Sequence, residues 1–399
     1  LISVPAHPVA IVGAGPAGLV LAHLLARARV PFVQLERQAR AELARLPKAG
    51  LVEYRTVRLL REVGLAPSVL RFTEANERCE FRTPDESVVL DYARLTEGRP
   101  HYVYPQHELV ERLADALPAG ADVRYRHTVE AVRRTPDGVA VTALEPGGRR
   151  LEVTAEVVIG CDGARGLVGA AMPGASVREK ILPARWLVVV AHRAPLADHT
   201  IYAAHPRGFA THIRRGAEET RYYLEASPGD GPADWAPDRV RRELGERLGM
   251  SGELDDLPLG DVGFLDLRMR VREPMGDGAV FLAGDAAHLI TPAGGKGMNL
   301  AIQDAVELAY GLIDRFRHAD PRRLDAYSAT RLPAIWRAQA FSSWFLRLIL
   351  SGGSGESGGR TESDGFDRGL REGWISALRA DPALAAWFAH AYAGVDPGS

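Results

Sequence analysis

Val9-Ala10-Ile11-Val12-Gly13-Ala14-Gly15-Pro16-Ala17-Gly18, with Phe32-Val33-Gln34-Leu35-Glu36 after it, is the stretch that decides the fold. An apolar run, a glycine turn, a helical stretch over Leu19 to Ala28 and a second apolar run make a strand, helix, strand unit. Gly13, Gly15 and Gly18 fill the pattern G-x-G-x-x-G, in which glycines permit a tight turn, close approach to a pyrophosphate and close helix packing. The start of the helix then offers its N–H groups to phosphate. Glu36 ends the second strand 23 residues after Gly13, placed to bind the ribose hydroxyls of a dinucleotide.

Two later runs read the same way. Glu156 to Gly160 leads into Cys161-Asp162-Gly163, and Ala279 to Ala283 leads into Gly284-Asp285, so both are expected in the same parallel sheet. Asp285 is placed to bind a ribitol chain. The segment Pro292-Ala293-Gly294-Gly295-Lys296-Gly297-Met298-Asn299 supplies N–H groups at a helix start, suited to flavin carbonyls and developing negative charge. A dinucleotide site with these additions points to FAD rather than NAD. Between the runs, residues 181–274 have a different texture. Trp186 to Val190 is β-rich, and Phe209 to Arg215 and Thr220 to Glu225 flank a turn at Gly216, which predicts a hairpin in a separate sheet. From Asn299 to about residue 350 the pattern is helical, and Ser351 to Gly359 reads as a Gly/Ser surface loop.

Bulk properties bound the function. A chain of 399 residues suggests two or three domains with core enough to bury a large cofactor. A formal charge of -2 gives no basic field for nucleic acid or an anionic membrane, which leaves small-molecule chemistry. Cys79 and Cys161, without ligand-type spacing to histidines, argue against a disulfide framework or a metal site. The uncharged run from Val9 to Ala26 is broken by glycines and Pro16, so it is not read as a membrane span, and a cytoplasmic enzyme is expected.

These motifs lie among stretches that carry a resemblance: Leu35-Glu36-Arg37-Gln38, Tyr104 with Gln106, Cys161-Asp162-Gly163, Ile201 to Ala210, Arg221-Tyr222-Tyr223, Arg268, Glu273-Pro274-Met275 and Phe281 to Leu300. Over nearly its whole length the chain resembles the group A flavoprotein aromatic hydroxylases of the 4-hydroxybenzoate 3-monooxygenase type. The resemblance implies an α/β fold: a Rossmann-type, glutathione-reductase-like FAD domain over 4–75, 105–180 and 275–315, with an inserted mixed-sheet substrate domain over 76–104 and 181–274. A C-terminal helical region over 316–399 would serve dimerisation. It also implies a reaction, in which NADH or NADPH reduces FAD, O2 adds to give a C4a-hydroperoxyflavin, and one oxygen passes to a 4-hydroxybenzoate-type ring.

Residue roles follow from the same resemblance. Tyr202 would hydrogen-bond the substrate phenol and draw off its proton, Tyr392 would relay it, and the Pro292 carbonyl would face the substrate hydroxyl. Arg215 would pair with the substrate carboxylate, Tyr223 would line that end of the pocket, and Arg221 would support the flavin. Gly13, Gly15, Gly18, Glu36, Arg37, Lys48, Gln106, Asp162, Asp285, Gly297, Met298 and Asn299 would hold the cofactor, and Arg165 and Arg268 the nicotinamide dinucleotide. Three departures stand out. Ile213 replaces a serine that binds the carboxylate, no histidine occurs around Glu74 to Glu77 to carry the phenol proton outward, and Glu42 would repel a 2′-phosphate, favouring NADH. The alternatives are the same chemistry on a larger phenolic or indolic compound, and a flavin reductase or dehydrogenase without oxygen transfer.

Overall fold

The computed structural model describes residues 2–43, 50–66, 74–350 and 362–395. Lys48 and the run from Ser351 to Gly359 lie outside the described residues. The apolar runs form one sheet, ordered Asp122–Tyr125, Phe32–Glu36, Ile2–Val12, Arg150–Gly160, Gly138–Leu144 and Thr128–Thr135, with Val280–Leu282 also against Arg150–Gly160. Ile2–Val12 is parallel to both of its neighbours, and Val280–Leu282 runs parallel to Arg150–Gly160, as the sequence predicts for strands that lead into loops at one sheet edge. Val9 to Val12 are buried on both faces, which is why they read as a continuous apolar run rather than an alternating one. The helix Pro16–Arg27 packs on this sheet and on the long helix Lys296–His318.

A second sheet of eight strands is ordered His288–Leu289, Leu259–Glu273, Ser176–Ala191, Thr220–Ala226, Gly208–Arg214, Thr200–His205, Arg78–Arg82 and Ser87–Asp91. Gly208–Arg214 and Thr220–Ala226 are the predicted hairpin, paired Ile213 to Arg221 and Thr211 to Tyr223. Strand alternation divides this sheet's work between its faces. Leu187, Val189, Ala203, Ala210, Tyr222 and Leu224 point one way and form a core with the helix Pro237–Leu248. Trp186, Val188, Tyr202, Phe209, Thr211, Ile213 and Tyr223 point the other way and line a cavity. A third, three-stranded sheet, Leu51–Glu53, His101–Val103 and Glu74–Asn76, was not foreseen. No helix among the described residues is long and apolar enough to cross a membrane.

One buried carboxylate joins the parts. Asp304, midway along Lys296–His318, accepts hydrogen bonds from the Gly284 N–H (3.0 Å), from His288 Nε2 (2.5 Å) and from Arg331 Nε (2.7 Å) of the helix Tyr327–Ile349. Burial alone would raise its pKa, but the His288 and Arg331 charges outweigh that and hold it at about 2. Because the folded value lies below the ordinary 3.8, the stabilisation is present above that value and drains as pH falls towards about 2. Removing one partner of such a buried cluster costs about 3–5 kcal/mol, so Asp304→Ala should lower urea and thermal midpoints by a corresponding amount. In Asp304→Asn the acid loss of stability should be shallower than in the parent, and an unchanged acid profile would show that Asp304 does not bear this load.

Candidate active site

Two cavities open at the carboxyl ends of the first sheet, where open α/β sheets bind their ligands. The first, of about 510 Å³, is lined by Val12, Gly13, Gly15, Glu36, Arg37, Asp162, Gly163 and Arg165, among others. The second, of about 490 Å³, lies under the substrate-facing side of the eight-stranded sheet. Gln106 and Asp285 line both, so a long ligand passing between these two residues would occupy one cavity with each end.

The local chemistry fits FAD. An added Cβ at Gly13 would lie 2.3 Å from the Cys161 carbonyl oxygen, and at Gly18 2.1 Å from that of Gly13, so these two glycines serve close packing. At Gly15 nothing lies within 4 Å: the space there is the cavity itself. Gly15 caps Pro16–Arg27 without a side-chain hydrogen bond, leaving the N-terminal amides for phosphate. Glu36 accepts the Ala14 N–H at 2.7 Å and the Gln38 N–H at 2.8 Å, which shapes the loop and leaves carboxylate lone pairs for ribose hydroxyls. Asp162 takes the Val168 N–H at 3.0 Å on Oδ2, while its buried Oδ1 has no partner. Burial pushes this carboxyl up, with the Val168 N–H opposing.

Gly297 and Met298, at the start of Lys296–His318, line the second cavity. Asn299, expected against the flavin, does not. Its amide is engaged by main chain instead, accepting from the Glu53 N–H at 2.9 Å and donating to the Leu51 and Gly295 carbonyls at 3.2 and 2.8 Å. It fixes the helix start to the three-stranded sheet. Of the residues expected at the nicotinamide, Arg165 is exposed on the first cavity and Arg268 on the second.

Tyr202, which lines the second cavity, donates to or accepts from Tyr392 behind it at 2.9 Å between hydroxyls, the two rings edge to face. Both are buried, and burial drives each phenol well above its usual range. In Tyr202 the Tyr392 hydrogen bond partly opposes that. Both therefore stay neutral, each able to accept one proton while giving up another. Pro292 lines the cavity, and its carbonyl already accepts the Gly295 N–H at 3.0 Å, with its second lone pair remaining. Ile213 and Tyr223 line it too, and the Arg221 guanidinium lies 5.2 Å from the Tyr223 ring centre.

Arg215 is not brought into this lining. It follows the last residue of its strand, with its N–H bonded to the Glu219 carbonyl at 3.1 Å, and its side chain is buried beside Gly50. Its Nη2 meets His107 Nδ1 at 3.1 Å and its Nε lies 3.3 Å from Glu219, outside hydrogen-bonding geometry, while Nη1 has no acceptor. Burial and the Arg215 charge hold His107 below the ordinary imidazole range. Sequence reading gave no site role to His107, Thr211 or Trp186, nor to Lys296, although the last stands within the Pro292 to Asn299 segment.

Gly15 has a φ of -72°, open to any residue, so Gly15→Val should fold and yet fill the phosphate approach. Flavin absorbance per purified chain should fall by about tenfold or more, the equivalent of ~1.4 kcal/mol, with the apoprotein's far-UV spectrum unchanged. Full flavin content in the variant would contradict this placement of the cofactor.

A family model described as an FAD binding domain matches residues 6–342. The p-hydroxybenzoate hydroxylase of Acinetobacter baylyi is 32% identical over 97% of this chain and 95% of its own length. A 12-dehydrotetracycline 5-monooxygenase/anhydrotetracycline 6-monooxygenase of Streptomyces rimosus is 33% identical over 82% of this chain and 67% of its own. Among solved structures, the OxyS anhydrotetracycline hydroxylase of Streptomyces rimosus superposes with a TM-score of 0.76 at 27% identity, covering 98% of this chain and 77% of that one. The p-nitrophenol 4-monooxygenase of Pseudomonas putida shares the fold, with a TM-score of 0.81 at 21% identity and 98% and 97% coverage. With a cofactor site that fits FAD and a tyrosine-bearing cavity beside it, this chain belongs to the FAD-dependent aromatic hydroxylases, a family of flavoprotein monooxygenases.

Proposed function

We propose that this hydroxylase acts on a phenol of the 4-hydroxybenzoate type, with or without a further amino or hydroxyl group on the ring. The observation that carries the reading is the buried hydroxyl pair formed by Tyr202, at the wall of the second cavity, and Tyr392 behind it. A substrate phenol donating to Tyr202 loses its proton as Tyr202 passes its own to Tyr392, and the resulting phenolate is far more nucleophilic than the phenol. Trp186, Phe209 and Ile213 exclude water from the ring, and Pro292 orients its hydroxyl. Bound FAD supplies the oxidising chemistry, taking electrons from a reduced nicotinamide and delivering one atom of O2.

Arg215 fits a substrate carboxylate because two of its buried nitrogens have no hydrogen-bond acceptor, although it reaches the cavity from behind the lining. NADH fits better than NADPH as reductant. Glu42 accepts the Ala39 N–H at 3.0 Å, and its neighbour Arg40 is paired with Asp115, so this turn offers a 2′-phosphate a carboxylate and an already engaged cation. A second reading, a larger phenolic substrate, is favoured by the cavity's lip, where Val262 and Leu265 are exposed beyond the apolar Ile213. Relatives named for anhydrotetracycline belong with that reading.

The assay is reductant oxidation with a panel of hydroxybenzoates and polycyclic phenols, scored for product heavier by one oxygen atom. On this reading a hydroxybenzoate accelerates NADH oxidation more than NADPH oxidation, and Tyr202→Phe lowers hydroxylation about 10²–10⁴-fold. Arg215→Ala should weaken carboxylate binding by about 1.5–3 kcal/mol. If no hydroxybenzoate stimulates turnover and a polycyclic phenol does, the second reading replaces the first.

We infer also that two copies associate through the C-terminal helices. Phe366, Leu370 and Trp374, at four-residue spacing on Glu362–Ala380, are exposed together with Trp387 of Pro382–Ala393. Light scattering should give twice the chain mass, reduced to one chain in Leu370→Asp/Trp374→Asp; a monomeric parent would exclude it.

A further inference from the structure

A third cavity, of about 810 Å³, is larger than either of the two at the sheet edge. It lies between the helices Tyr327–Ile349 and Pro382–Ala393 and is closed by Glu53, Arg55 and the first turns of Lys296–His318. Ala334 and Ala338, one turn apart on the first helix, and Ala386 and Ala391 on the second are short where Phe341, Trp344 and Trp387 are long. The alanines leave the space and the three rings wall it. Trp344 meets Trp387 edge-on at 4.9 Å between centres, and Phe341 lies 6.1 Å from each, so the rings brace one another around the opening. An apolar space of roughly 300–1,000 Å³ with a few convergent polar groups is the usual form of a small-molecule site.

The polar groups are unequal in sign. Arg55, Lys296 and Arg337 line the cavity, and Glu53 is the one carboxylate among its lining residues. That carboxylate is engaged: Lys296 Nζ donates to Glu53 Oε1 and to the Tyr392 carbonyl, both at 2.7 Å. An ammonium carries three N–H groups, so one is left for a ligand. Lys296 is 4% exposed, and burial holds its ammonium below the ordinary range, with Glu53 opposing and Arg55 adding to the fall. Arg337 has no hydrogen bond or ion pair among the described residues. Three cations against one carboxylate leave the cavity short of negative charge, and His390 adds to the imbalance when protonated. Aromatic walls with guanidinium groups at hand suit a flat ring that bears a carboxylate, since the planar fork pairs with both oxygens.

We propose that the third cavity is a second binding site, for an aromatic carboxylate, distinct from the cavity in which a ring would meet the flavin. It does not depend on which phenol is hydroxylated. The ring lies against Phe341, Trp344 and Trp387, and the carboxylate meets Arg337 and Arg55. The second and third cavities share a single lining residue, Lys296, so a ligand in one leaves the other open. Occupancy follows the level of free aromatic acid, and Lys296 couples it to the second cavity. A carboxylate that draws Lys296 from Glu53 moves a side chain common to both.

The test is equilibrium dialysis of the FAD-loaded chain, without reductant, against labelled 4-hydroxybenzoate at up to about 1 mM. Two equivalents per chain are expected. Arg337→Glu reverses a charge and Ala338→Trp fills the space, and each should weaken one equivalent by about tenfold or more, while Tyr202→Phe leaves that equivalent unchanged. Flavin content reports that each variant is folded. Decanoate, with the charge but no ring, should displace that equivalent about tenfold less well than 2-naphthoate. Binding that neither Arg337→Glu nor Ala338→Trp weakens overturns the second site, whether one equivalent is bound or two. Decanoate displacing as well as 2-naphthoate overturns its preference for a ring. A single equivalent, weakened by Arg337→Glu and Ala338→Trp and untouched by Tyr202→Phe, upholds the second site and removes 4-hydroxybenzoate as the substrate. A parent chain that binds none overturns both.

Discussion

The carboxylate of Asp304 is the constraint on which the rest of the molecule depends. It binds a loop amide, an imidazole and a guanidinium from three separate segments, all of them buried. Interior charges of this kind stabilise only as a complete set, because each is costly alone. Gly284-Asp285 is thereby held at a fixed distance from the start of Lys296–His318, and the second cavity is framed between them. If the helix slid by one turn, Gly297 and Met298 would no longer face the second cavity.

A ligand that spans both cavities ties two sheets that otherwise meet mainly through loops. Gln106 and Asp285 are the narrow point, and whatever passes between them restrains both sides. Binding the cofactor stabilises the folded state by mass action, so the stability of the whole chain and occupancy of its first cavity are linked quantities.

Legibility in the sequence followed locality. Gly13 to Gly18 and the loops at Asp162 and Asp285 were readable because strand, turn and helix start are consecutive, and each carries its reason within a few residues. The hairpin around Gly216 was readable from alternation, and so was the opposition of its two faces. Tyr392 could be singled out only through resemblance, since nothing near it announces a partner 190 residues away. Asp304 looks in sequence like an ordinary solvated helix charge. The third cavity depends on two helices from separate segments turning small residues towards each other, which no periodicity reveals. The contacts that hold Arg215 beside Gly50 and His107 come from segments more than 100 residues away, so nothing near it in sequence announces them.

The eight-stranded sheet keeps stability and selectivity on alternate residues of the same strands. Leu187, Val189, Ala210 and Leu224 answer to the helix behind them, whereas Trp186, Val188, Thr211 and Ile213 face the cavity. Changes at the partly buried Val188 and Ile213 alter the shape offered to a ring while leaving the core on the opposite face intact. A lineage carrying such a sheet could exchange a serine for Ile213, trade a polar anchor for an apolar wall and move to a new aromatic diet without first having to rebuild its scaffold.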